Sequence, residues 1–81
     1  MPKAFVMIDV HPGHEDSVEE AVHHVAGVKF VYQVTGEFDM IALIEAEPYH
    51  AFACVVDAIR KTEGVRDTDT QLVLDKKPAK P

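Results

Sequence analysis

The middle of the chain contains the stretch VKFVYQVTGEFDMIALIEAE, residues 28–47, which carries the clearest strand pattern in the sequence. Its first part is rich in β-branched and aromatic residues and its last part is an apolar run, so strands are predicted over residues 28–35 and 38–47. Between them lies Gly36, which supplies the positive φ that a tight hairpin loop requires. The stretch is therefore predicted to form a β-hairpin.

Similar patterns on both sides of the hairpin complete the fold. Before it, a strand is predicted over residues 3–10 and an amphipathic helix over 14–26; after it, a helix begins at Pro48 and ends at Gly64, and a strand spans 65–74. The order βαββαβ predicts an α+β, ferredoxin-like domain: a four-stranded antiparallel sheet with two helices on one face. Residues 1–75 are expected to form this domain, and residues 76–81 a flexible basic tail containing proline.

The predicted sheet carries apolar residues on both of its faces, although its two helices can cover only one. A half-solvated sheet should alternate apolar and polar residues. The second face instead presents Phe5 and Met7 in the first strand and Ile41 and Leu43 in the third. Soluble monomers avoid such exposed patches, so we expect these four residues to form the interface of a face-to-face homodimer.

Composition excludes several functional classes. The 81 residues have room for one core, and their formal net charge of −6 argues against binding of nucleic-acid phosphates. A single cysteine, Cys54, excludes an intrachain disulfide and is predicted to be buried and inert. The sequence shows neither a membrane span nor a signal peptide, so a cytoplasmic location is expected.

The five histidines do not form a complete metal site by sequence. His23 and His24 are adjacent and should diverge by about 100° on a helix. His11 and His14 lack a partnering cysteine or fixed carboxylate. Neither a metal site nor a cofactor is therefore expected, and no catalytic residue, because Cys54 lacks an activating cation or oxyanion device.

The stretch VTGEFDMIAL, residues 34–43, resembles the hairpin signature of the Lrp/AsnC effector-binding domain: a strand, Thr-Gly, two variable residues, Asp and an apolar strand. The resemblance extends over residues 3–75. It implies dimerisation through the sheets, further assembly into rings, and an amino-acid effector bound between dimers near the hairpin loop. The ligand-binding residues that it suggests are Thr35, Gly36, Glu37, Phe38, Asp39, Thr68 and Thr70.

These residues suit a zwitterionic ligand. The Gly36 N–H can meet a carboxylate, Asp39 an ammonium group, and the threonines can supply hydroxyls. The alternative is structural: Gly36 closes the turn and Asp39 accepts a hydrogen bond from a loop N–H.

Members of this family usually carry an N-terminal helix-turn-helix domain, whereas here Met1 leads directly into the first strand. The resemblance and this departure from it together predict a stand-alone, non-enzymatic sensing and oligomerisation module that does not bind DNA by itself. Membrane binding is not expected either, because no apolar stretch is long enough to span a membrane. Full-length Lrp/AsnC regulators are a further class of expected partner.

Three alternatives stay open at this point. An ACT-type regulatory domain shares the order βαββαβ and would bind its ligand at the loop formed by residues 11–14. A dimeric α/β-barrel enzyme, such as a cofactor-free monooxygenase or an isomerase, would need a polar group within the sheet cavity, where the strands offer mainly apolar residues. A structural adaptor would bind no small molecule.

Overall fold

The structure, a computed structural model, describes residues 2–80 and contains the predicted order of elements. The elements are β1 (Lys3–Val10), α1 (Glu15–His23), β2 (Val28–Gln33), β3 (Met40–Glu45), α2 (Ala51–Arg60) and β4 (Val65–Leu72). The four strands form one antiparallel sheet in the order β2-β3-β1-β4. The ferredoxin-like prediction is confirmed. The domain predicted over residues 1–75 and the tail predicted over residues 76–81 each include one terminal residue, Met1 or Pro81, that lies outside the described residues.

The core lies between the sheet and the two helices. Alternate residues of the central strands point into it, as their pairing Val6↔Ala42 illustrates. From the helices come side chains at helical spacing, of which Val18, Val22 and Ile59 are fully buried. The buried core residues are Ala4, Val6, Ile8, Val10, Val18, Val22, Met40, Ala42, Ile44, Ala46, Phe52, Val55 and Ile59. Both helices therefore cover the same face of the sheet.

No helix or strand is longer than its predicted range, and α1 ends at His23 rather than at residue 26. This helix ends at His23 because the following turn, which closes with a hydrogen bond from Val25 N–H to Val22 O, leads into Gly27 with a φ of +97°. A side chain at position 27 would begin 2.8 Å from Val55 Cγ2. Only glycine fits this tight approach without strain.

Strand β2 contains a bulge that changes which face one residue occupies. Val28 pairs with Ile44 on the core side, but after the register shift Phe30 pairs with Leu43 and Tyr32 with Ile41. Simple alternation along the predicted strand would put Val28 on the same face as Phe30 and Tyr32, but the bulge inserts one extra residue and moves Val28 to the other face.

The prediction that Cys54 is buried is also wrong, since the thiol is exposed. The side of α2 that faces the sheet is defined by Phe52, Val55 and Ile59. Cys54 precedes Val55 by one residue and is thus rotated by about 100° away from it around the helix. Neither helix within residues 2–80 is long and apolar enough to cross a membrane.

Candidate functional site

The loop joining β2 to β3, residues 34–39, is anchored at both of its ends and open at its tip. The Val34 N–H donates to Asp39 O at 2.9 Å, and the Asp39 N–H donates to Ile8 O at 3.0 Å, which fixes the loop to β1. At the tip, Gly36 has a φ of +107°, and a Cβ added there would have no heavy atom of residues 2–80 within 4 Å. Gly36 therefore closes the turn, and the space beside it is open.

Asp39 joins the base of this loop to the start of the next connection. Its Oδ2 accepts a hydrogen bond from the Val10 N–H at 2.8 Å. This is the structural role that the sequence left open for Asp39. A carboxylate has two oxygens and about four lone-pair sites, so this bond leaves it able to accept further hydrogen bonds.

An ion pair between Asp9 and Arg66 lies next to Asp39. Arg66 is the extra residue of a bulge in β4, where Val10 pairs with Val65 and Asp9 with Asp67. From this position its Nη2 and Nε donate to Asp9 Oδ2 at 2.6 and 3.1 Å. Hydrogen bonding by Arg66 holds the pKa of Asp9 below its ordinary value, with a smaller contribution from neighbouring Asp39, and the pair raises the pKa of Arg66. Both signs of charge are thus present beside the hairpin loop.

The seven predicted ligand-binding residues do not all converge within one chain. Thr35, Gly36 and Glu37 are exposed at the loop tip, and Phe38 and Asp39 are partly buried at its base. Thr68 and Thr70 instead lie on β4, paired with Ile8 and Val6, so their side chains point toward the helix-covered face. Because β1 separates β4 from β3, the two groups lie about 10 Å apart across the sheet.

The face of the sheet opposite the helices, which we call the open face, presents six large apolar side chains. They are Phe5, Met7, Phe30, Tyr32, Ile41 and Leu43. The four residues of the predicted interface are thus joined by an aromatic pair from β2, whose rings stack with centroids 6.1 Å apart. The pair is absent from the predicted interface because the bulge in β2 interrupts the alternation that would assign its residues to a face.

Charged pairs border the open face at both ends. Lys3 Nζ lies 3.8 Å from Glu45 Oε1 at one end, and the pair of Asp9 and Arg66 lies at the other. An apolar centre with a charged border is the composition typical of a protein–protein interface.

Two grooves lie on the helix side of the molecule. A groove of about 490 Å³ runs between α2 and the connection from α1 to β2, and its wall includes Val25, Cys54 and Ala58. A second, of about 410 Å³, lies between α2 and β4 and is lined in part by Arg60 and Thr70. Thr70 therefore belongs to a different surface from the hairpin loop.

Comparison with known families decides the identity of the domain. The model of the Lrp/AsnC ligand binding domain matches residues 3–80. The chain belongs to this family. The resemblance of the hairpin stretch to the Lrp/AsnC signature is thereby confirmed.

Solved structures of this family superpose closely. The protein TTHA0845 of Thermus thermophilus is 31% identical, with a TM-score of 0.86, and the match covers 98% of this chain and 100% of that one. A feast or famine regulatory protein from M. tuberculosis, in complex with L-methionine, is 26% identical with a TM-score of 0.82. That match covers 98% of this Lrp/AsnC domain and 54% of the M. tuberculosis chain.

Among curated proteins, homocitrate synthase of Saccharolobus islandicus is 35% identical over 60 residues. These residues make up 74% of the present chain and 13% of the synthase. The Lrp/AsnC domain thus matches only a small part of this relative.

Proposed function

We propose that this Lrp/AsnC domain is a non-enzymatic sensing module that assembles through its open face and binds an amino acid at its hairpin loop. The observation that carries the proposal is the open face itself, a continuous apolar surface with the accessible hairpin loop at its end. Family membership supports the ligand-binding part of the proposal.

Assembly follows from the exposure of the open face. Phe30, Tyr32 and Phe5 are 56%, 54% and 41% exposed, which is high for neighbouring aromatic residues on one surface. Soluble proteins rarely leave such a patch uncovered. A second copy related by a two-fold axis covers it with the same residues, and two stacked sheets interdigitate their side chains. Homodimerisation is therefore the first partner interaction that we propose.

Effector binding follows from the chemistry at the loop. The accessible backbone near Gly36 can donate an N–H to a carboxylate, and Asp39 can accept hydrogen bonds from an ammonium group. An amino acid carries both groups. The complex of the M. tuberculosis relative with L-methionine supports this class of ligand.

The proposed site is completed between subunits. Within one chain, Thr68 and Thr70 point to the helix-covered face, and β1 separates their strand from the hairpin. A neighbouring subunit can instead bring its own hydroxyls to a ligand at the loop. We therefore include in the proposal an assembly larger than a dimer, with ligands bound where dimers meet.

The proposal also includes co-assembly with other regulators of the family. Full-length Lrp/AsnC regulators share this domain, so co-assembly would let the present chain alter their effector response. A net charge of −6 gives the chain itself little attraction for DNA.

Thermal unfolding in the presence of each of the twenty amino acids tests the sensing function. A ligand that binds the native state at ten times its Kd stabilises it by about 1.4 kcal/mol, which raises the Tm of a domain of this size by several degrees. One or a few amino acids should produce this shift. If none raises the Tm at millimolar concentration, the proposed sensing function is wrong.

Two substitutions of Asp39 separate its structural role from ligand binding. Asp39→Asn keeps an oxygen that can accept the hydrogen bond from the Val10 N–H but removes the charge, whereas Asp39→Ala removes both. Asp39→Ala should therefore lower the stability without ligand by about 1–3 kcal/mol, and Asp39→Asn by less. Both should abolish the ligand-induced shift; a full shift in Asp39→Asn would remove the carboxylate from the site.

A further inference from the structure

The C-terminal end of α1 brings two imidazoles and a carboxylate together on the protein surface. Glu20, His23 and His24 are exposed, and each offers a ligand-type atom within 4.8 Å of the other two. The two imidazole centroids are 4.4 Å apart, with the ring planes inclined at 40°. The prediction that adjacent His23 and His24 diverge is therefore wrong. The two side chains turn toward each other at the end of α1, where His24 is the C-cap.

We propose that Glu20, His23 and His24 bind one divalent ion of the first transition row, such as Zn²⁺. Two imidazole nitrogens and a carboxylate oxygen favour ions of this class over Mg²⁺ and Ca²⁺, which prefer oxygen ligands. Three protein ligands leave the remaining coordination positions to water.

The local geometry already prepares the ligands. His24 Nδ1 lies 2.9 Å from the backbone oxygen of Glu20. The same nitrogen lies 3.6 Å from Glu20 Oε1, so the His24 imidazole and the Glu20 carboxylate already lie side by side. Binding of the ion through Nδ1 uses the tautomer protonated at Nε2 and gives up the hydrogen bond to the backbone oxygen. Metal–ligand bonds of about 2.1 Å place tetrahedral ligand atoms about 3.4 Å apart, so exposed side chains need only small rotations to close on the ion.

The position on the helix also favours a cation. The C-terminal end of a helix carries a partial negative charge, and Glu19 adds a carboxylate one turn before His23. The opposite side of the helix is fixed by fully buried Val18 and Val22. Because α1 covers the core side of the sheet, the cluster stays accessible when the open face is covered.

Calorimetric titration of the untagged protein with ZnCl₂, in a buffer that does not chelate metals, tests the site. The wild-type protein should bind one ion per chain. His23→Ala should weaken this binding at least about tenfold, because it removes a direct ligand. His50→Ala is the matched control, since His50 is exposed at the start of α2 and lies outside the cluster. Unfolding curves of both variants should match those of the wild-type protein.

Cys54 must be tested separately because an exposed thiol also binds zinc. Cys54→Ser should bind Zn²⁺ as the wild-type protein does. Three results would overturn the proposal: no binding by the wild-type protein, equal binding by His23→Ala, or loss of binding in Cys54→Ser or His50→Ala. None of these results bears on amino-acid binding at the hairpin loop, which has its own assay.

Discussion

Replacing Phe30 by alanine measures what the open face contributes to assembly. Full burial of a phenylalanine side chain stabilises by about 1.5–3 kcal/mol. Phe30 is 56% exposed in the single chain, so covering the exposed part should contribute about 1 kcal/mol per subunit. A two-fold dimer contains the residue twice. Phe30→Ala should therefore weaken the dimer by about 2 kcal/mol, which is about 30-fold in Kd.

Sedimentation equilibrium over a range of protein concentrations gives this Kd directly. Tyr49→Ala is the matched control because Tyr49 is 68% exposed but packs against Phe52, on the helix side of the molecule. Its Kd should equal that of the wild-type protein. A change of less than threefold for Phe30→Ala, or an equal change for Tyr49→Ala, would refute assembly through the open face.

Three further predictions concern the stability of the single domain, measured by urea unfolding. Gly64→Ala should lower the free energy of unfolding by about 2–5 kcal/mol, and Gly13→Ala by about 1–2 kcal/mol. Both glycines have a φ near +90°, but of the two only position 64 would bring a Cβ within 2.8 Å of side-chain atoms. Equal costs would show that the close contact at position 64 does not matter. Ile59→Ala should cost about 2–5 kcal/mol because Ile59 is fully buried, and a loss below 1 kcal/mol would contradict the core assignment. Because Arg66 lowers the folded-state pKa of Asp9, this pair stabilises the fold above about pH 4 and loses its contribution as the pH falls through the lowered pKa. Below about pH 4, the free energy of unfolding should therefore fall less steeply with pH for Asp9→Asn than for the wild-type protein. Parallel plots of this free energy against pH would contradict the pairing.

The central strands could be predicted from sequence almost residue by residue. In β1 and β3, alternation assigns every side chain to a face, as the pairs Val6↔Ala42 and Phe5↔Leu43 confirm. Both strands are regular and hydrogen-bonded on both sides, so nothing interrupts their period of two.

The features that the sequence did not predict depend on an irregular backbone or on contacts between residues far apart in the sequence. A bulge moves Val28 to the other face from Phe30, and no residue in the stretch indicates it. The ion pair of Asp9 with Arg66 joins residues 57 positions apart through a bulge in β4. Its partners could be recognised only after β4 was known to lie beside β1.

The exposure of Cys54 gives this molecule a single natural attachment point for a spectroscopic label. In a face-to-face dimer the sheets stack about 10 Å apart, and a helix layer adds about 10 Å on each outer side. Two labels on Cys54 would then lie about 30 Å apart or more, a separation that energy transfer between fluorophores measures well. Labels on this thiol, which the sequence predicted to be buried, would thus report the distance between subunits without any change to the open face.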